Sequence, residues 1–227
     1  MNSRRTEIEL PARAVLFRAA AVGLVVFVTL WVLVGIRWAP LVSIDDRAVA
    51  GAHGLAVDHA WLATVSRVVT DLGSPVAADI VTAVAAVVAL VWRHVVVAVV
   101  IVGARLGELG TVAVVKLVAD RARPSFAQPL ATASGNSFPS GHSAGSAALY
   151  GVLLLLVISA LARGPRVAVV VAGIVFVVAV GASRIFLGVH HPTDVVAGLA
   201  IGGAWAAAAV GASAWLPRAG VGRTPTG

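Results

Sequence analysis

Three polar clusters interrupt an otherwise apolar chain, and each carries side chains suited to phosphate-ester chemistry. The first, KLVADRARP, places Lys116 seven residues before Arg123, which Pro124 follows. That spacing is two helical turns, so both cations project from one face of a helix that extends so far. Arginine offers a planar fork to phosphate oxygens, and lysine offers a compact charge. The second cluster, FPSGH, sets Ser140 and Gly141 directly before His142 and an apolar run. A hydroxyl, a glycine that permits close backbone approach and the free amides of a helix start make an anion cradle. The third, SRIFLGVHHPTD, holds Ser183, Arg184, His190, His191 and Asp194. His190 and Asp194 are four apart, and Pro192 is a natural first helical residue. A carboxylate there can take the proton of one imidazole nitrogen and leave the other as a nucleophile. His142 is a second imidazole, suited to protonating a leaving oxygen.

Singly, each cluster has a plainer reading. Basic residues at helix ends anchor a protein in its membrane, and Pro-Ser-Gly before a helix is a turn and a cap. His191 is first of all a neighbour of His190. His53, His59 and His94 are read as surface or interfacial residues. Arg105 and Glu108 read most economically as an i,i+3 ion pair. Chance explains one cluster far better than it explains three in this order.

The elements that must bring these segments together follow from composition. Of 227 residues, 59% are hydrophobic and 12% charged, with a mean hydropathy of +0.98. A soluble globule of this size cannot hide so much apolar surface. The body of the chain is therefore an integral membrane protein. Cysteine is absent, which removes disulfides, thiolate zinc sites and a cysteine nucleophile. The net charge of +7 is carried almost entirely by arginine, scattered at the ends of apolar runs without a basic stripe. This is the pattern of membrane orientation rather than of nucleic-acid binding.

Six apolar runs predict an all-α bundle of six transmembrane helices, at about 19–36, 75–92, 94–116, 142–162, 165–182 and 193–216. A run such as the first spans roughly 27 Å as a helix, near the hydrocarbon thickness. Valine-rich runs of this length are helices because a lone strand in lipid leaves its backbone unpaired. Residues 1–18 are then an N-terminal segment, 19–216 one membrane domain and 217–227 a disordered tail. Residues 37–74 form a mixed linker with a stretch of interfacial-helix character. With six spans the linkers that carry the three clusters fall on one membrane face. The termini and short turns hold nine arginines, and the opposite side seven basic residues with its first linker offset by aspartates. Both termini are thus expected in the cytoplasm and the clusters on the outer face of the cell membrane.

The motifs K-x6-R-P, P-S-G-H and S-R-x5-H-x3-D resemble those of the type 2 phosphatidic acid phosphatase family of membrane lipid phosphatases, and every fixed position is filled. The resemblance covers about residues 19–216. It implies that His190 attacks phosphorus to give a phosphohistidine and that Asp194 holds its tautomer. It implies that Lys116, Arg123, Ser140, the Gly141 amide and Arg184 bind the phosphoryl oxygens, and that His142 protonates the departing oxygen. It implies no metal and no cofactor. The substrate is then a membrane lipid phosphate or diphosphate: polyprenyl diphosphate first, then phosphatidic acid and phosphatidylglycerol phosphate. No feature of the sequence sets an oligomeric state. A different class remains open, a lipid or anion transporter in which the basic cluster only binds. Vanadate-dependent halide oxidation uses a similar site, but in soluble families.

Overall fold

The computed structural model describes residues 12–213. The arginines at positions 4, 5, 218 and 223, most of the expected N-terminal segment and the expected tail lie outside them. Eight helices account for the fold among the described residues: α1 (Arg13–Gly35), α2 (Ala39–Asp58), α3 (Ala60–Leu72), α4 (Pro75–Val91), α5 (Val95–Val118), α6 (Gly141–Ala160), α7 (Arg163–Phe186) and α8 (Pro192–Ala212). Among the described residues, six helical stretches are long and apolar enough to cross a membrane. The expected all-α, six-span architecture is therefore present.

The second span is longer than the sequence reading allowed. It runs from Ala60 to Val91 as α3 and α4 with a break at Gly73–Ser74. Asp58, Arg67 and Asp71 made residues 60–74 look like linker. Yet Ala63, Ser66 and Thr70 are buried at helical spacing, and α3 packs against α7. At the break, Ser74 caps α4 by accepting the Ala77 amide at 3.1 Å, and Pro75 takes the first helical position. The rest of the linker is one helix, α2. Its buried residues Asp45, Val49, His53 and Ala56 form a stripe, so His53 is a core residue and not a surface one.

The closest helix contact is between α6 and α8. A Cβ on Gly198 would stand 2.5 Å from the Ser140 carbonyl oxygen, and one on Gly202 would stand 2.2 Å from that of Ala144. Only glycine lets these backbones meet, and such small-residue seams drive helix pairing where lipid removes the hydrophobic incentive. The seam fixes the start of α6 against the start of α8. α1 lies along α8, with Leu16 and Phe17 beside Gly211. The described chain ends therefore sit at the end of the bundle away from residues 119–140 and 187–191.

Arg105 and Glu108 are buried within the third span and form the expected i,i+3 pair. Arg105 also pairs with Asp79 at 2.9 Å and donates to the Pro75 carbonyl at 3.3 Å. It thereby ties α5 to the start of α4, just after the break.

Candidate active site

His190 lies in the tight turn between α7 and α8. The amides of Val189 and His190 both donate to the Arg184 carbonyl, at 3.1 and 3.3 Å, which closes the end of α7. The residue is 2% exposed. Nδ1 stands 3.4 Å from Asp194 Oδ2, and Nε2 stands 3.1 Å from Arg123 Nη1. A guanidinium can only donate, so Nε2 presents its lone pair and the proton belongs on Nδ1, facing the carboxylate. Burial pushes the His190 pKa down to about 4, and Arg123 and Arg184 push the same way, while the bond to Asp194 opposes them. The ring is therefore neutral at pH 7.

Asp194 occupies the first turn of α8 and is fully buried. Its Oδ2 accepts from the Ser137 hydroxyl at 2.5 Å and from the His191 amide at 2.9 Å. Its Oδ1 accepts from Arg121 at 2.6 Å. His191 is also drawn in, with Nδ1 3.4 Å from Asp194 and Nε2 3.5 Å from Asp46.

The cations surround the ring. Arg123 is held by backbone carbonyls: Nε donates to Gly135 at 3.0 Å, Nη2 to Ser134 at 3.0 Å and Nη1 to Val189 at 2.8 Å. Lys116, in the last turn of α5, donates to the Asn136 carbonyl at 2.6 Å, and the Asn136 amide returns a bond to the Lys116 carbonyl. Arg184, in the last turn of α7, donates Nη1 to Thr70 at 2.7 Å. Its Nε is buried without a hydrogen-bond partner among the described residues, a donor that an oxyanion would satisfy.

The start of α6 completes the ring. Ser140 is its N-cap; the Oγ accepts from the Ser143 amide at 3.4 Å and from the Ser143 hydroxyl at 3.1 Å, leaving its own proton free to donate. Its amide donates to the Asp194 carbonyl at 3.0 Å. Gly141 is the first helical residue, with an amide that has no place in the helix's own ladder. His142 sits in the same turn, within electrostatic reach of Arg184, His190, Arg123 and Lys116. All eight residues singled out in the sequence thus converge, drawn from four helices and two connecting segments.

Residues 119–140 are pinned above the site. His53 stacks on Phe126 with ring centroids 4.0 Å apart and contacts the Gln128 carbonyl at 3.0 Å, and Arg67 donates to the Leu130 carbonyl. Next to Val189 and Arg123, a cavity of about 310 Å³ is bounded also by Phe126, Pro129 and Leu187. A larger one of about 860 Å³ opens between the end of α1, the start of α2 and residues 118–122, on the Arg121 and His191 side.

The motif reading passed over Asp45, Arg121, Ser137 and Thr193. Arg121 hides inside the K-x6-R-P spacing, and Ser137 precedes the second cluster. Asp45 leaves one sequence signal: it shares a helical stripe with apolar Val49 and Ala56, so it points inward.

The fold is that of a multi-pass helical membrane protein, and a histidine–aspartate pair ringed by cations and free helix-start donors at one end of the bundle is chemically suited to a tetrahedral oxyanion. The sequence profile of the PAP2 superfamily matches residues 93–218, more than half of the chain, and the chain belongs to that superfamily. A curated relative, phosphatidylglycerophosphatase B of Bacillus subtilis (strain 168), is 41% identical over 86 residues, covering 37% of this chain. The chain matches 41% of that relative's length. The crystal structure of the first transmembrane PAP2 type phosphatidylglycerolphosphate phosphatase from Bacillus subtilis superposes with a TM-score of 0.78 at 26% identity. That match covers 88% of this chain and 98% of the solved one.

Proposed function

We propose that this protein is a membrane lipid phosphate phosphatase that works through a phosphohistidine at His190. The observation that carries the reading is the poise of the ring. Nδ1 faces a buried carboxylate, Nε2 faces a guanidinium, and burial keeps the imidazole neutral. Binding alone needs no oriented nucleophile, so this arrangement favours catalysis over transport.

In the proposed reaction Nε2 attacks phosphorus as the bond from phosphorus to the lipid oxygen breaks. The departing oxygen takes a proton from His142. Asp194 stabilises the positive charge that His190 gains. Lys116, Arg123, Arg184, Ser140 and the Gly141 amide hold the three phosphoryl oxygens, on which charge spreads. The negative phosphate faces the protonated imidazole of His142 and balances its charge. Water then attacks phosphorus, its proton passes to His142, and the nitrogen–phosphorus bond breaks to release inorganic phosphate.

Phosphatidylglycerol phosphate is the first candidate substrate, because both relatives are named for it; polyprenyl diphosphate and phosphatidic acid follow. The acyl chains stay in the bilayer while the head reaches the site. The site faces outward and both termini are cytoplasmic, as arginine placement favours. A panel of these lipids and a soluble phosphate monoester, offered to purified protein in detergent, tests the reading. Phosphate release that requires His190 and is fastest on one lipid supports it. Lipid binding without release supports the transporter instead. For topology, an impermeant thiol reagent reaches Thr132→Cys in intact cells if the site faces outward, and only after lysis if it does not.

A further inference from the structure

We propose that Asp45 and Arg121 are positioning residues that fix the aim and charge of Asp194, and through it tune His190. This rests on the reaction proposed above.

Asp45 lies on α2, remote in sequence from every motif, and is fully buried. Its Oδ1 accepts the Thr193 amide at 3.0 Å and its Oδ2 accepts Arg121 Nη2 at 2.5 Å. The Thr193 hydroxyl donates to Oδ2 as well. Asp45 therefore satisfies a first-turn amide of α8 from another helix, where negative charge is favoured. Arg121 then uses Nη1 to reach both Asp194 Oδ1 and the Thr193 hydroxyl, each at 2.6 Å. Carboxylate, guanidinium, carboxylate and imidazole stand in a row.

This row does two things. It immobilises Asp194 from the Oδ1 side, so that Oδ2 stays aimed at His190 Nδ1. It also sets the net charge behind the nucleophile, with two carboxylates balanced by one guanidinium. Outer partners that orient a metal's ligands change activity by about 10–100-fold, and Asp45 and Arg121 stand in the same relation to the His190–Asp194 pair. A plain structural ion pair would stabilise the fold and leave His190 indifferent.

The two roles separate by sign. Removing Arg121 leaves two uncompensated carboxylates behind His190 and raises its proton affinity. Removing the charge of Asp45 leaves Arg121 to neutralise Asp194 and lowers it. Other groups facing the ring are Arg123, Arg184 and His142, with Lys116 beyond; His191 of the α7–α8 turn faces Asp194, and Asp46 of α2 faces His191. All of them stay constant across the variants.

The test is histidine-labelled NMR titration of the full chain in detergent micelles, with the His190 signal assigned by its loss in His190→Gln. We expect the His190 midpoint to rise in Arg121→Gln and to fall in Asp45→Asn, each by about one pH unit. Arg121→Lys keeps the charge and stays near wild type. Midpoints that coincide, or that move in the same direction in both variants, overturn the proposal. If Arg121→Gln does not fold, a rise or no change in Asp45→Asn overturns it alone. In parallel, Asp45→Asn lowers kcat by about tenfold with little change in KM. The titration needs no turnover, so a wild-type protein that releases no phosphate would sink the phosphatase reading and leave this measurement standing.

Discussion

His190 Nε2 and Arg123 Nη1 stand 3.1 Å apart, a residue of the α7–α8 turn against one of the α5–α6 connection. The same guanidinium is gripped by the carbonyls of Ser134, Gly135 and Val189. In the proposed reaction phosphorus bonds to the nitrogen that Arg123 faces, which sets Arg123 beside the oxygens on which transition-state charge would develop. Arg123→Ala should lower kcat/KM for a lipid phosphate by about 10²–10³-fold, the range for loss of one preorganised oxyanion donor. Arg123→Lys should recover only part, because lysine lacks the fork. Steady-state kinetics in detergent decide this; near wild-type rates for the alanine variant would remove Arg123 from the reaction.

The neutral state of His190 gives a pH dependence with a definite sign. Protonation takes away the lone pair of Nε2, so the rate falls as pH drops through the pKa of about 4 set mainly by burial. Above that value the ring is neutral and this limb of the profile is flat. As pH is lowered from 8 to 3, kcat/KM should therefore show no loss at 6.5, the value of an unburied histidine, and drop only near 4. A loss on acidification centred near 6.5 would contradict the buried, cation-flanked ring; a loss as pH rises belongs to the proposed acid, His142.

His142 is proposed to protonate the leaving oxygen. His142→Ala should slow hydrolysis of an alkyl phosphate by about 10²–10⁴-fold. An aryl phosphate, whose leaving oxygen needs no proton, should lose much less. Parallel assays on the two esters check the role, and equal losses on both would point to phosphate binding alone.

The seam between α6 and α8 couples packing to chemistry. Gly202→Ala puts a methyl 2.2 Å from the Ala144 carbonyl oxygen, so the helices must part. We expect a destabilisation of about 1–3 kcal/mol from overpacking and lower turnover, since Ser140 and His142 ride on that end of α6. Gly203→Ala meets nothing within 4 Å and should be neutral or slightly stabilising. Thermal unfolding in detergent, together with kcat of the folded fraction, separates the pair.

Glu108 is buried against Arg105 within the third span. Glu108→Ala leaves that arginine with only the exposed Asp79 as its ionic partner and should cost about 3–5 kcal/mol of stability. Turnover of the folded fraction should hold, because the pair fastens the break between α3 and α4 rather than the phosphate. Glu108→Gln altering turnover at unchanged stability would give the pair a role beyond packing.

The chain's composition and its apolar periods were enough to specify a six-span helical bundle, because a backbone in lipid has few ways to satisfy itself. The motifs picked out residues that the fold brings together for a related reason: phosphate needs cations, donors and an imidazole, and a greasy chain spares few such side chains for other work. The sequence by itself left α3 in a linker, since Arg67 and Asp71 outweighed a buried stripe visible only once α7 was beside it. It left His53 on the surface, because nothing local announces the stack on Phe126. It gave no hint that Asp45 reaches the start of α8, or that Arg121 bridges Asp45 to Asp194. Those partners lie some 70 to 150 residues apart in the chain. Side-chain type and short spacing are local properties that a sequence carries directly. Which carboxylate meets which guanidinium is decided only when the helices pack, because burial then demands that each charge find a partner.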